Sequence, residues 1–206
     1  MRKLFFFFIF ILLSISVKSQ SSFNKSIDAS DLTEVFIILD NTFEVEVTNT
    51  SENKIIVNAI SEGEYQNDIL INAKRKENSL TILDDIQPFS ENHNDKLSAH
   101  KMIALKVKIQ IPQHLNLTIT SRLASLELNA RIKSLFIELN SGDCTLRNFM
   151  GNATINTLGG DIIVYTGNAV INASTKSGII TSEKIFGEHQ IELKSITGNI
   201  SVYKTK

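Results

Sequence analysis

The chain has 206 residues, with 21 basic and 22 acidic side chains, one cysteine, two prolines and no tryptophan. That length suits one domain or two small ones, and 42% apolar content is that of a folded chain. A formal charge of −1 argues against a polyanion-binding or nucleic-acid-binding surface, and a single cysteine cannot make an internal disulfide.

Residues 1–19 read as a secretory signal. Arg2 and Lys3 form a positive start, and Leu4 to Leu13 is an unbroken apolar run. Val17 and Ser19 stand at the −3 and −1 positions of a cleavage site before Gln20. The run is too short for a membrane-spanning helix, and every later apolar run is broken within a few positions, so no integral span is expected in the mature chain. The alternative is an uncleaved anchor. No cysteine follows the cleavage site, which argues against lipid attachment. Removing the segment takes away Arg2, Lys3 and Lys18 and leaves a formal charge near −4.

Residues 20–112 are expected to form a β region without a repeat. Val35, Ile37 and Leu39 alternate with polar neighbours, as do Phe43, Val45 and Val47. Further strands are expected around Ile55–Ala59, Ile69–Ala73 and Leu80–Ile82, and around Leu105–Ile111, which Pro112 ends. Turn-forming clusters separate them at 49–53, 61–68 and 74–79. The stretch from Asp84 to Lys101 reads as an exposed loop. His93, Asp95 and His100 within it are metal-ligand types, but scattered polar residues of a surface loop account for them better.

Residues 113–206 repeat. Ser141-Gly142-Asp143, Gly159-Gly160-Asp161, Ser177-Gly178-Ile179 and Thr197-Gly198-Asn199 place their second residues 18, 18 and 20 apart. A degenerate copy has Arg122 in the glycine position. Aligned on these positions, apolar residues fall in columns. Seven before stand Leu115, Leu135, Ala153, Ile171 and Ile191; two after stand Ala124, Cys144, Ile162, Ile180 and Ile200. Alternation on both sides of each glycine predicts strand, tight turn, strand. The glycine suits a positive φ or crowded backbones, and Asp or Asn after it can bond its own backbone. Units this short cannot bury a face alone, so about five stacked rungs of 18–20 residues are expected, a β-solenoid of β-helix or β-roll type. The rival is a meander of hairpins in a sandwich. A third column, Ile119, Leu139, Thr157, Thr175, Ser195, passes from aliphatic to hydroxyl, which implies a narrowing core or a side meeting water.

Cys144 falls in an inward column and should be a buried thiol acting as a small apolar group. A catalytic thiol would need a histidine partner, and His93, His100, His114 and His189 show no motif spacing for it. No nucleophile elbow, Walker loop, dinucleotide fingerprint or HExxH helix is present. Asp143 and Asp161 are the only aspartates after the repeat glycines, which is too few for a calcium ladder. Glu127, Glu138, Arg131 and Arg147 are scattered over the first units, without the paired carboxylates of a glycosidase. No catalytic, cofactor-binding or metal residue is therefore assigned, and no cofactor is implied. Outward positions are mostly Asn, Thr and Ser, either a solvated surface or a flat face that contacts glycans or protein. Asn-x-Ser/Thr triplets at Asn24, Asn49, Asn116, Asn152, Asn172 and Asn199 read as incidental in an Asn-rich chain. Lys204, Thr205 and Lys206 after the final strand look like a guard against edge pairing, which favours a monomer over a fibre.

Ile111-Pro112 closing a strand, followed by Ser-Gly-Asp-type turns each leading into a short aliphatic strand, resembles the bacterial putative-adhesin β-strand-repeat family of head-GIN-type and LiaG-like envelope domains. The resemblance spans about 30–203 and is clearest over 105–203. It implies a right-handed β-solenoid in an exported protein, periplasmic or on the cell surface, and it implies no catalytic residues. Arg122 departs from the pattern. The expected role is non-enzymatic, a binding or scaffolding module whose partner is an envelope protein or glycan. A carbohydrate-active enzyme on a β-helix and an envelope-stress accessory are the alternatives. The N-terminal region is either separate or part of one continuous domain over 30–203.

Overall fold

The computed structural model describes residues 21–62, 69–86 and 104–205. The expected signal segment, and with it His93, Asp95 and His100, lie outside the described residues. The described residues form strands and turns only. The N-terminal half contributes β1 (Ser21–Asp28), β2 (Glu34–Ile38), β3 (Glu44–Asn49), β4 (Lys54–Glu62), β5 (Ile69–Lys76), β6 (Ser79–Ile86) and β7 (Ala104–Ile111). The repeats contribute β8 (Asn116–Ser121), β9 (Ser125–Asn129), β10 (Arg131–Leu139), β11 (Cys144–Thr157), β12 (Ile162–Thr166), β13 (Ala169–Thr175), β14 (Ile180–Ser182), β15 (His189–Ser195) and β16 (Ile200–Lys204).

All sixteen strands join one mixed sheet that curls into a nearly closed, barrel-like wall with two facing sides. Face A runs β1-β4-β7-β3-β9-β11-β12-β16-β14, and face B runs β5-β6-β2-β8-β10-β11-β15-β13. The fourteen-residue β11 belongs to both. Inward positions of both faces meet in one apolar cluster from Ala29 to Val202, which includes Val35, Val45, Ile109, Ile137, Ile162 and Leu193. Most pairings between successive units are parallel and in register, so like residues lie about 4.8 Å apart.

A regular right-handed solenoid of five rungs in chain order is not what forms. Three departures account for the difference. First, β1 and β5 pair antiparallel, with β4 and β6, and β4 pairs antiparallel with β7, so the N-terminal strands do not repeat the later pattern. β1 is a strand that its polar sequence hides. Phe43 stands before β3 and is 60% exposed, although its alternation pointed inward.

Second, the first repeat unit is set two residues later than Arg122 implies. Leu135 pairs with Leu117, and Cys144 with Leu126. An added Cβ on Gly142 would strike the Ala124 carbonyl, so Ala124 holds the glycine position. A slip of two leaves every inward residue inward, because the side-chain period is two.

Third, the last two units are exchanged in space. Ala153 pairs with Ile191, and Ile191 with Ile171, so β15 lies between β11 and β13. On face A, β16 likewise lies between β12 and β14. The final strand is therefore interior, and Lys204 guards no edge. The outermost strands at this end are β13 and β14.

The turns record the same order. A Cβ on Gly160 would strike the Gly142 carbonyl, one on Gly198 that of Gly160, and one on Gly178 that of Gly198. Close approach is thus what demands glycine here; in this column only Gly142 (φ 91°) has a left-handed backbone. The residue after each glycine bonds the neighbouring unit rather than its own backbone. Asp161 N–H donates to Asp143 Oδ1 at 2.9 Å, Asn199 N–H to Asp161 Oδ1 at 2.7 Å, and Ile179 N–H to Asn199 Oδ1 at 2.9 Å. The hydroxyl column serves the turns. Thr157 Oγ1 donates to the Gly160 carbonyl at 2.8 Å, and Ser195 Oγ accepts Gly198 N–H at 2.8 Å, so these buried hydroxyls satisfy turn groups.

Asp84 is another correction. It lies within β6 and is 8% exposed, where an exposed loop was expected to begin. Its carboxylate accepts the amides of Asp40 and Asn41 and the Thr42 hydroxyl, each at 2.8 Å. It clamps the turn between β2 and β3.

Candidate binding face

In-register pairing lines up the outward side chains of face A. Glu44 lies beside Lys106 and Glu46 beside Lys108, with ion pairs of 2.9 and 2.6 Å. The hydrogen bond to Glu46, and its negative charge, raise the Lys108 pKa. One strand further, Arg147 Nε donates to Glu127 Oε1 at 2.6 Å. This bond and the carboxylate's charge raise the Arg147 pKa, so the guanidinium stays charged throughout any working range. Its Cζ lies 6.0 Å from the centre of the Tyr165 ring, and Tyr165 stacks on Tyr203 with centroids 5.4 Å apart. The three residues form one ladder, each at the fifth position after its glycine.

Just past Arg147 the long strand crosses from face A, where Phe149 still pairs with Thr166, to face B, where Met150 pairs with Arg131. Asn148 (φ 47°) and Gly151 (φ 141°) take left-handed backbone and turn β11 towards face B. At Gly151 a side chain is excluded, because a Cβ would strike the Ile132 carbonyl. This corner opens two adjoining cavities. One, of about 340 Å³, is lined by Arg147, Asn148, Tyr165, Lys204 and Thr205. The other, of about 490 Å³, is lined by Arg131, Asn148, Met150 and Asn168 among others, and by Thr205 again. Asn148 and Thr205 are shared, so the two form one groove. Its charged lining residues, Arg131, Arg147 and Lys204, are all cations. The Thr205 Oγ1 atom is buried there and has no hydrogen-bond partner among the described residues. A buried hydroxyl without a partner is uncommon enough to need a reason.

Face B carries two larger depressions of about 510 and 690 Å³. They lie over the Asn, Thr and Ser positions anticipated from the repeat. The larger sets Glu138 beside Lys176 and Lys194, so its lining mixes signs, and the only charged residue lining the smaller is Glu192.

Of the residues singled out in the sequence, Glu127 and Arg147 come together, Arg131 lies across the corner, and Glu138 sits on the opposite face. Glu46 and Glu127 do lie beside one another on β3 and β9. Both are already engaged by cations on an exposed face, and neither lines the groove. Asp143 and Asp161 are occupied by backbone amides. Tyr165 and Tyr203 went unnoticed as site residues, although Arg147, Tyr165 and Tyr203 share a column that an aligned repeat displays, and Lys204 and Thr205 were read only as an edge guard.

Cys144 is fully buried between Leu126 and Ile162. Burial, and to a lesser degree the Asp143 charge, push its thiol up to about 12 from an ordinary 9.0. The folded state thus keeps its proton when the unfolded chain has lost it. This contribution to stability is complete below about pH 9 and is lost as the pH rises towards 12. Between about pH 8 and pH 10.5 the wild type should lose on the order of 2 kcal/mol more than Cys144→Ala does. Urea denaturation at the two pH values measures this, and parallel losses in both proteins would refute it.

No family model matches the chain, and no curated protein matches it. Among solved structures, one described as a "putative cell adhesion protein" from Clostridium sporogenes shares 16% identity, with 91% of this chain and 100% of that one covered and a TM-score of 0.65. That is the same fold. A "putative adhesin" from Bacteroides fragilis (11% identity, 90% and 99% covered, TM-score 0.43) and a "putative lipid binding protein" from Parabacteroides distasonis (14%, 90% and 97%, 0.29) are too remote to build on. No helix among the described residues is long and apolar enough to cross a membrane.

Proposed function

We propose that this protein is a non-enzymatic, exported binding module of the cell envelope, and that the corner groove takes an acidic glycan. The observation that carries the reading is the groove's lining: three cations and, among the described residues, no side-chain carboxylate, beside a buried Thr205 hydroxyl that lacks a partner among them. Guanidinium and ammonium groups suit a sugar carboxylate. Asn148 and Asn168 offer amides, which both donate and accept as sugar hydroxyls do. The Tyr165 ring and Met150 offer apolar surface for C–H groups. Glu127 holds Arg147 in place in advance, which lowers the ordering cost of binding. Export rests on Arg2, Lys3 and the apolar run to Leu13, and the head-GIN-type or LiaG-like kinship rests on the glycine turns.

Titration calorimetry with tri-galacturonate and with maltotriose tests the groove. The uronate should bind and the neutral sugar should not. Arg147→Ala should weaken uronate binding by at least about ten-fold, or 1.4 kcal/mol, without lowering the melting temperature. Equal binding of both sugars, or an unchanged affinity in Arg147→Ala, would remove the assignment.

A further inference from the structure

The two ends of the sheet are built differently. At one end the outermost strands are β1 and β5. β5 carries Lys74, Arg75 and Lys76, and Arg75 reaches across to Asp31 at 3.6 Å and to the Asp28 carbonyl at 3.3 Å. Charges on an edge strand discourage pairing with another chain. At the other end, neither β13 nor β14 contains a charged residue. Among the described residues each pairs on one side only. Val170, Ile179, Ile180 and Phe186 are exposed there by 48, 72, 43 and 78%, and Ile171 and Ala173 are only partly covered.

We propose that the protein forms a two-fold dimer through β13 and β14. A single extended peptide could pair with one of these edges but would leave the other open, along with the half-exposed core between them. A second copy offers two edges at the same spacing with the same apolar filling. A two-fold axis perpendicular to the faces sets β13 antiparallel to its mate and β14 antiparallel to its own. Inward residues stay inward, so both sheets and the core continue through the contact. Charge permits it: residues 169–188 carry Lys176 and Lys184 against Glu183 and Glu188, so the patch has no net charge to repel its copy. An ordinary interface takes about 20–30 residues a side, and this twenty-residue segment stands at the lower limit. The dissociation constant should accordingly be on the order of micromolar. The contact closes on itself, and the charged far end gives no route to a fibre. This proposal stands independently of the glycan groove.

Sedimentation velocity of the purified protein over a concentration series tests it. The wild type should pass from monomer to dimer. Val170→Lys with Ile179→Lys should stay monomeric at every concentration and melt as the wild-type monomer does, since both side chains are exposed. Asn172→Cys, near the axis, should link into a covalent dimer on oxidation, whereas Asn58→Cys on β4 should not. A wild type that stays monomeric, a dimer that survives the double lysine variant, or equal linking through both cysteines would overturn the proposal.

Discussion

Gly160→Ala should destabilise the fold by at least about 3 kcal/mol, and Gly159→Ala beside it by less than about 0.5 kcal/mol. A Cβ on Gly160 would strike the carbonyl oxygen of Gly142, with Asp143 N at 3.2 Å as well. Both belong to the backbone, so no rotamer change relieves the clash. Relief requires prising apart the neighbouring turns, and with them the pairing of Cys144 with Ile162. A Cβ on Gly159 would meet Asn140 O at 3.6 Å, an ordinary contact. Neither glycine has a left-handed backbone, so the gain from restricting the unfolded chain is similar for both. Equilibrium urea denaturation of the pair against wild type measures the difference. Coincident curves would mean that the turns do not stack at van der Waals contact, and the columns would lose their registration.

The contrast between these adjacent glycines shows what kind of information the repeat carried. Spacing marked Gly160 as special, and of the two reasons offered for its glycine, crowded backbones applies there, whereas positive φ belongs to Gly142 and Gly151. Inside and outside were legible because they depend only on parity. Cys144, Ile155, Ile162 and Ile191 are buried as the alternation required, even though the first unit was set wrongly by two residues at Arg122. Spatial order was not legible from spacing, since any unit that presents the same columns can fill any place. It left a trace in composition. Where other units have Leu or Ile and Leu or Val, the unit of β13 and β14 has Ala173 and Ser182, the smaller residues suited to an uncovered end. The lysines after the final strand misled because that strand is interior. The groove was beyond reach for another reason: it arises where Asn148 and Gly151 turn β11, and only that turn brings Arg131, Arg147 and Lys204 together. The ladder that leads to it, Arg147-Tyr165-Tyr203, stood in plain view at one fixed offset from the glycines.

Because the last unit is interior, a chain ending at Glu188 should lose far more than its eighteen missing residues. Among the described strands β13 pairs only with β15, and β14 only with β16, so both would be left without those partners. Ile155, Ile162 and Val164 would lose their cover from Ile191, Leu193, Ile200 and Val202. The melting temperature should fall by more than about 10 °C, and residues 167–188 should become sensitive to protease. One rearrangement would rescue the truncated chain: a shift of β13 and β14 inward into the vacated places. Their side chains oppose it. Ala173 would stand where Leu193 stood, and Ser182 where Val202 stood. A leucine-to-alanine deficit in a core costs about 2–5 kcal/mol, and the serine adds a buried hydroxyl. Restoring the bulk should therefore restore the fold. Ala173→Leu with Ser182→Val in the truncated chain should recover much of the lost melting temperature, with the units now stacked in chain order. The same pair in the full chain should do little for stability, because there both positions lie at the partly exposed end. A truncated chain that melts like the whole protein without those changes would show that β15 and β16 do not hold the outer unit in place.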